Sequence, residues 1–417
     1  MSRRRPSEML GRRVSRAALA AAAAVTLAIP AAPVSADDAT IVFGAAVAAT
    51  GRDAREGALT KEGYEFWKDY VNAHGGIPVG GKRYRVDIRY ADDESNPQTA
   101  ARLVEKFIDQ DHVNFMLAPY GSADTFSAAA VVERKKIPMV EGNGASERIF
   151  NQGNKYTFGV LSPGRKYLQG VLDMAVHMKP RPQTIAVVSA NDLFSIEAAA
   201  GAIEFANAHG LKVVYTTRYP ADTTDVSSVV TALKATNPDI VVNGGRLQEA
   251  LMMQRALKEQ NVNAKIFAHS VGPDTPDFRQ TLGKDANYVF GGTQWSSSAK
   301  YRGAPGFVQD SKTYAAEFAK KYGHVPSYQN AESSATCLAF QYALAKAGTL
   351  DPARVRDALA ALDVVTFFGL LKFDERGMNI FKPMVVNQIQ NGESVTVWPM
   401  GSQVKRPLYP TPPWNAR

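Results

Sequence analysis

The 417-residue chain is long enough for two domains, and its formal net charge of +8 is concentrated at the N-terminus. Residues 1–36 carry six arginines and one glutamate, so the net charge of the remainder is +3. That remainder has no basic cluster interleaved with aromatic residues, which argues against nucleic-acid binding. The single cysteine, Cys337, excludes an intrachain disulfide bond and a cysteine-rich metal site.

The first 36 residues have the pattern of a secretory signal peptide. A basic segment, residues 1–16, precedes an alanine-rich apolar run, residues 17–29, that is too short to span a membrane comfortably. Small residues at positions 34–36 then provide a cleavage site, so we expect an exported protein that is cleaved after Ala36. The Arg12-Arg13 pair leaves twin-arginine export open, but the flanking residues favour the ordinary secretory route.

From residue 40, short apolar runs typical of strands alternate with helical patterns. In the first half, strands are predicted at residues 41–47, 84–90, 115–119 and 137–140. Helices are predicted at residues 54–73, 98–109 and 123–134. This alternation requires a parallel sheet with helices on both faces.

The second half repeats the plan. Strands are predicted at residues 184–189, 212–219, 239–242, 265–268, 289–292, 369–373, 383–389 and 394–398. Helices are predicted at residues 165–177, 194–209, 226–235, 248–260, 305–322, 330–347 and 351–362. The predicted fold class is therefore α/β, with two doubly wound parallel-sheet lobes that face one another.

Two small polar loops follow neighbouring strands of the first half. Because the carboxyl ends of parallel strands meet at one edge of a sheet, we expect both loops to lie at the edge where small ligands bind. Free N–H groups at the start of a helix suit a carboxylate or another anion. The candidate ligand-binding residues are Tyr120, Gly121, Ser122, Asn143, Gly144, Ala145 and Ser146. The alternative is that these residues only form turns.

Several short sequence blocks are each only moderately specific, but their order and spacing along the chain are together typical of one protein family. They are residues 75–77 with 84–93, 118–122, 142–146, 219–225, 237–245, and 371–374 with Gly377. Through these blocks the chain resembles, from about residue 40 to its end, the periplasmic substrate-binding proteins of branched-chain amino-acid and amide ABC transporters. The resemblance implies a leucine-binding-protein-like, type I periplasmic fold.

The resemblance also implies how the lobes are connected. We expect lobe 1 to comprise residues 37–160 and 296–375, and lobe 2 to comprise residues 161–295 and 376–417. Three crossing strands would join the lobes, and a ligand would be captured by hinge closure. An inner-membrane ABC permease is the implied partner of a periplasmic monomer, and no cofactor is implied.

For the site, the resemblance implies that the two loops of lobe 1 bind the ligand's carboxylate. Further contacts are expected from Phe194, Arg246 and Tyr328, and Trp295 is also a candidate. The alternatives are that Arg246 is a surface charge and that Trp295 is an aromatic residue packed at the hinge. The acid that pairs with an ammonium group in this family is missing here, because residues 268–271 contain no carboxylate. Together with the positive Arg246, this departure favours an acidic ligand over a standard amino acid.

Three kinds of ligand remain open at this point: a branched-chain amino acid, a related amide, and an aromatic carboxylate. A periplasmic ligand sensor of the same fold is also open. Catalysis is not expected, because the six histidines have no metal-ligand spacing and the chain has no nucleophile elbow or phosphate-binding loop. Among the histidines, only His269, at a predicted strand end, is a candidate for a functional role. No metal is expected.

Overall fold

A computed structural model describes residues 40–417, so the predicted signal peptide lies outside the described residues. The strands are β1 (Thr40–Val47), β2 (Ile77–Val79), β3 (Lys82–Asp92), β4 (Phe115–Leu117), β5 (Met139–Glu141), β6 (Thr157–Gly159), β7 (Thr184–Ala190), β8 (Lys212–Tyr219), β9 (Ile240–Gly244), β10 (Ile266–His269), β11 (Phe290–Thr293), β12 (Asp363–Thr366), β13 (Gly369–Lys372), β14 (Val385–Gln390) and β15 (Glu393–Trp398). The helices are α1 (Ala54–Ala73), α2 (Pro97–Asp109), α3 (Ser122–Lys135), α4 (Lys166–Val176), α5 (Leu193–Ala208), α6 (Ser227–Ala235), α7 (Leu247–Glu259), α8 (Pro276–Leu282), α9 (Ser311–Tyr322), α10 (Tyr328–Ala347) and α11 (Pro352–Ala360).

Two sheets organise these elements. The first has the order β2-β3-β1-β4-β5-β6 and is parallel except for β2. The second has the order β15-β14-β11-β10-β9-β7-β8, with β14 antiparallel to both β11 and β15 and the remaining pairs parallel. The predicted α/β class with parallel sheets is confirmed.

Burial on both faces of the sheet explains why several strands are continuous apolar runs in the sequence. Every residue of β4, β5, β9 and β10 is buried, as expected for central strands covered by helices on both faces. By contrast, β3 alternates buried and exposed residues near its middle, because it lies close to the sheet edge. The long helix α10 packs against α1, β2 and β5 and is buried along most of its length.

The chain crosses between the two sheets three times: after β6, after β11 and after β13. The crossings are bonded to one another. The Ser162 N–H donates to Gln294 Oε1 at 3.1 Å, Gln294 Nε2 donates to the Ser162 carbonyl at 3.0 Å, and Ser162 Oγ donates to the Lys382 carbonyl at 2.7 Å. Trp295 packs on Tyr314 beside this junction and is buried. The three crossings are therefore linked to one another by direct hydrogen bonds.

Some element boundaries differ from the predictions. The helix predicted at residues 305–322 begins at Ser311, because the Asp310 side chain accepts the Thr313 N–H at 2.8 Å and caps the helix there. The sequence analysis also missed four short elements: β2, β6, α8 and β12. All described residues belong to one compact unit, and the division into lobes stays a prediction.

Candidate functional site

A small cavity lies where the carboxyl ends of the two sheets meet. Its lining residues are Tyr120, Gly121, Ser122, Asn143, Ala145, Leu161, Tyr167, Phe194, Arg246, Val271, Tyr328 and Glu332. The cavity volume is about 20 Å³, which is room for little more than one ordered water molecule. The described conformation is therefore a closed one, and a larger molecule can enter only if the two sheets move apart.

Eight of the ten residues predicted for the site line this cavity, whereas Gly144 and Ser146 do not. Four lining residues were missed: Leu161, Tyr167, Val271 and Glu332. A sequence signal existed for Glu332, which follows Tyr328 by four positions on α10 and therefore shares its face of the helix.

The loop after β4 presents backbone donors to the cavity. Gly121 has φ 93°, a conformation that glycine adopts readily, and it turns the chain from β4 into α3. Its N–H donates to the Asn143 carbonyl at 3.1 Å and so ties the two loops together. Among residues 40–417, the N–H groups of Ser122 and Ala123 have no hydrogen-bond partner, as expected in the first turn of a helix. The Ser122 hydroxyl accepts the Ser146 N–H at 3.1 Å, which leaves its own proton available.

The loop after β5 uses its backbone donors differently, which corrects part of the sequence interpretation. The Glu141 side chain accepts the N–H groups of Asn143 at 2.9 Å and Gly144 at 2.6 Å. These two donors, and that of Ser146, are therefore already engaged. In the described part of the chain, the Ala145 N–H has no partner. Burial raises the pKa of Glu141 to about 8 in spite of the two backbone hydrogen bonds.

Ser146 joins the first sheet to the second instead of lining the cavity. Its hydroxyl donates to Glu197 Oε1 at 2.6 Å, and the Glu147 N–H donates to Glu197 Oε2 at 2.9 Å. Glu197 lies on α5, which packs on β7 of the second sheet. The contact of Ser146 stabilises the closed arrangement.

Arg246 closes one side of the cavity. Its side chain is buried, and Nη1 donates to the two carboxylate oxygens of Asp53 at 3.1 and 3.0 Å. Nη2 lies 3.7 Å from Asp192 Oδ1. Burial alone would raise the pKa of Asp192, but Arg246 and two hydrogen bonds from Ser195 outweigh it and leave this pKa below its usual value. Because two carboxylates already match the charge of Arg246, that charge gives no support for an acidic ligand.

Outside Arg246, four charged residues form what we call the rim: Arg52, Arg55, Glu249 and Asp277. Arg52 Nη2 lies 2.8 Å from Glu249 Oε1, and Arg55 Nε lies 2.9 Å from Asp277 Oδ2. Both arginines are about one-third exposed. The rim therefore links the segment after β1 to the second sheet through one exposed ion pair, Arg55–Asp277, and one in which Glu249 is buried.

His269 is a structural residue. It is buried, with Asn243 Nδ2 at 3.4 Å from Nδ1 and Gln254 Oε1 at 3.2 Å from Nε2. Burial lowers its pKa to about 3, so the ring stays neutral. Residues 40–417 contain no group of three or more acidic, histidine or cysteine side chains that could hold a metal ion. In the same range, the helices are all too short or too polar to cross a membrane.

A sequence model of the family described as "Periplasmic binding protein" matches residues 40–393. A curated relative, Leu/Ile/Val-binding protein homolog 8 from Brucella abortus (strain 2308), is 24% identical over 383 residues, covering 88% of this chain and 93% of its own length. A branched-chain amino acid transporter substrate-binding protein from Streptococcus pneumoniae, solved in complex with isoleucine, superposes with a TM-score of 0.74 at 19% identity over 85% of this chain and 97% of that one. A solute-binding protein of an ABC transporter from Rhodopseudomonas palustris BisB5, solved with 3,4-dihydroxybenzoic acid, superposes with a TM-score of 0.73 at 18% identity. The superposition covers 85% of this chain and 95% of that one.

Proposed function

The chain belongs to the periplasmic binding protein family, and we propose that it captures a small carboxylate-bearing ligand between its two lobes and delivers it to an ABC transporter permease. The lobes are those predicted from the sequence, residues 37–160 with 296–375 and residues 161–295 with 376–417. Export through the segment at residues 1–36, with cleavage after Ala36, and a monomeric state are parts of the same proposal.

One observation carries the proposal of a carboxylate: two backbone donors without partners, the N–H groups of Ser122 and Ala145, belong to residues that line one cavity. The Ser122 hydroxyl adds a third donor. Ser122 lies at the N-terminus of α3 and Ala145 lies in the loop after β5, and N–H groups of this kind form strong charge-assisted hydrogen bonds with a carboxylate.

The rest of the cavity supplies the remaining contacts. Phe194 and Arg246 follow strands of the second sheet, whereas Tyr328 lies on α10, which packs on the first. A ligand that touches both sides has a higher affinity for the closed form than for the open one, and so it shifts the population towards closure. The hinge through Ser162 and Gln294 is where we expect that motion to occur.

Two ligand classes fit the apolar and aromatic walls. The relative from Brucella is described as a Leu/Ile/Val-binding protein homolog, which favours a branched-chain amino acid or a related amide. Four aromatic side chains in the lining, Tyr120, Tyr167, Phe194 and Tyr328, favour an aromatic carboxylate equally well. We retain both classes, together with docking to a periplasmic sensor as an alternative to docking to a permease.

A thermal-shift screen tests the binding proposal. The purified protein is melted with amino acids, their amides and aromatic carboxylates, and a ligand raises the melting temperature because it binds the folded state alone. We expect at least one carboxylate to raise the melting temperature by several degrees in a concentration-dependent manner. If only molecules without a carboxylate do so, the proposed carboxylate site is wrong.

A further inference from the structure

One acidic side chain in the cavity has no partner. Glu332 lines the cavity from α10 and is 1% exposed. Among residues 40–417, its Oε2 atom has no hydrogen-bond partner, and the side chain forms no ion pair. A buried carboxyl group without a hydrogen bond is costly, so a protein that keeps one at a cavity wall has a use for it there.

The backbone around Glu332 places α10 against the ligand loops. A Cβ atom on Gly142 would lie 2.2 Å from Thr336 Oγ1 and 2.9 Å from the Glu332 carbonyl oxygen. Only glycine therefore allows α10 to approach the loop after β5 this closely. The approach brings the Glu332 side chain into the same cavity as Ser122 and Ala145.

Aromatic rings line the cavity together with this carboxyl group. The ring centroids of Tyr167 and Phe194 are 4.9 Å apart at an interplanar angle of 82°, and those of Tyr167 and Tyr328 are 6.4 Å apart at 67°. Rings at such steep angles present faces and edges from different directions. Aromatic faces attract cations, and a nearby carboxylate strengthens that attraction.

The positively charged residues near the cavity do not form an ion pair with Glu332. Arg246 is the one cationic residue in the cavity lining, and it is already paired with Asp53 and Asp192. Lys382 attracts Glu332 electrostatically, but it does not line the cavity and its Nζ donates to the Gln294 carbonyl. Burial, followed by the effect of nearby Glu141, raises the pKa of Glu332 well above its usual value, and a bound ammonium group would lower this pKa again and favour the carboxylate form.

We propose that Glu332, with the rings of Tyr167, Phe194 and Tyr328, forms a subsite for the ligand's ammonium group, so that the protein selects amino acids over the corresponding simple carboxylic acids. This inference rests on the proposed function, which assigns the carboxylate to Ser122 and Ala145. It places the acid for the ammonium group on α10, since residues 268–271 contain none. It also favours the amino-acid class over the aromatic carboxylates that the lining alone leaves open.

The test uses pairs of molecules that differ only in the ammonium group: L-leucine with 4-methylpentanoate, and L-phenylalanine with 3-phenylpropanoate. Calorimetry measures their binding to the wild-type protein and to Glu332→Gln, which keeps the size of the side chain and removes its ability to ionise. We expect the wild type to prefer the amino member of the pair it binds by at least about 30-fold. In Glu332→Gln that preference falls below about 3-fold, while affinity for the deaminated member changes little. These ratios follow from a hydrogen-bonded charge contact of about 2 kcal/mol.

The controls separate this subsite from the proposed function. Glu393→Gln removes an acid at the exposed turn of the β14–β15 hairpin and should leave the preference unchanged. Tyr328→Leu removes one ring, keeps the acid and should reduce the preference less than Glu332→Gln does. Equal wild-type affinity for both members of a pair, or equal loss for both in Glu332→Gln, would overturn the subsite and leave the carboxylate site standing. Failure of all four molecules to bind the wild type would overturn the subsite, and the proposed function would fall with it only if the thermal-shift screen also finds no carboxylate that binds.

Discussion

The rim and the cavity are neighbouring parts of the same closed interface, but the polar groups of the rim are paired with one another and several of those in the cavity are not. At the rim and at Arg246, every charge faces an opposite charge, as in the pairs Arg52–Glu249 and Arg246–Asp53. In the cavity, the N–H groups of Ser122 and Ala145 and the carboxyl group of Glu332 have no partners among the described residues.

This difference separates two tasks. Paired groups hold the elements of the two sheets together without any other molecule, and removing one member of a buried pair leaves the other charge buried and unmatched. Unpaired groups lower the stability of the closed form until a ligand satisfies them, so they give the ligand its differential affinity for that form. Substitutions in the two regions should therefore produce effects of different kinds as well as different sizes.

The largest effect is expected at Arg246. Arg246→Met removes the buried counter-charge of Asp53 and Asp192 and leaves only the partly exposed Arg52, whose Nε lies 3.4 Å from Asp53 Oδ1, so we expect ligand affinity to fall on the order of 100-fold or more by calorimetry. Small-angle scattering should show a more open protein. In the double variant with Asp53→Asn, part of the affinity should return, because one unmatched charge is removed. A loss of less than about 3-fold would mean that this ion-pair cluster does not control closure.

Ser122 should give the next largest effect, and one of a different kind. Ser122→Ala removes a hydroxyl donor from the cavity and the acceptor of the Ser146 N–H. We expect affinity to fall about 10- to 100-fold, the cost of losing a hydrogen bond to a charged group. The melting temperature of the ligand-free protein should change little. Asn143→Ala should weaken binding in the same direction.

A matched control for Ser122→Ala is Ser228→Ala on the exposed face of α6. It should change neither the affinity nor the melting temperature. If Ser122→Ala behaves like Ser228→Ala in calorimetry, Ser122 is not part of the binding site.

A moderate effect is expected from pH through Glu56. Burial, reinforced by Asp53, raises the pKa of Glu56 to about 7, and its Oε1 accepts the N–H of Leu247, the first residue of α7, at 3.4 Å. In an open cleft the pKa returns towards its ordinary value of 4.5. A raised pKa stabilises the closed form fully below the ordinary pKa, and this stabilisation is lost as the pH rises through about 7. The contribution of Glu56 to the affinity for L-leucine or another bound amino acid should therefore fall between about pH 4.5 and pH 7.

Glu56→Gln should make that pH dependence shallower, because the amide keeps an acceptor for Leu247 and cannot ionise. A residual dependence of the same sign is expected from Asp124, whose pKa burial and Asp93 raise to about 7. An unchanged slope in Glu56→Gln would exclude Glu56 as a contributor. Glu393→Gln serves as the exposed control.

The smallest effects should come from the rim. Arg55→Ala removes an ion pair with Asp277 in which both side chains are about one-third exposed, and such pairs contribute little. We expect affinity to fall less than about 5-fold and the difference from wild type to shrink in high salt. An effect as large as that of Arg246→Met would erase the distinction between the rim and the buried cluster.

Much of the fold could be read from the sequence because its signals are local. The predicted bounds of α1 and β8 agree with the structure, since helical periodicity ends at Gly75 and β8 is a run of β-branched and aromatic residues. Both ligand loops were located correctly relative to their strands. Short elements such as α8 were missed, because seven residues give too little periodicity to recognise.

The charge pairing within the site could not be predicted from local sequence patterns. Arg246 and Asp53 are 193 positions apart, and no local pattern reveals that one neutralises the other. Likewise, the Glu141 side chain takes two N–H groups of its own loop only because the fold turns it inward. Only the folded interface shows which polar groups have no hydrogen-bond or ion-pair partner. Those unpaired groups are the ones that we assign to the ligand.

The most direct test is a crystal structure of the protein with the tightest ligand from the thermal-shift screen. We predict that the ligand's carboxylate accepts the N–H groups of Ser122 and Ala145 at about 3 Å while the Arg246–Asp53 pair stays intact. A carboxylate held by Arg246, or a ligand bound outside this cavity while both N–H groups remain without partners, would contradict the account.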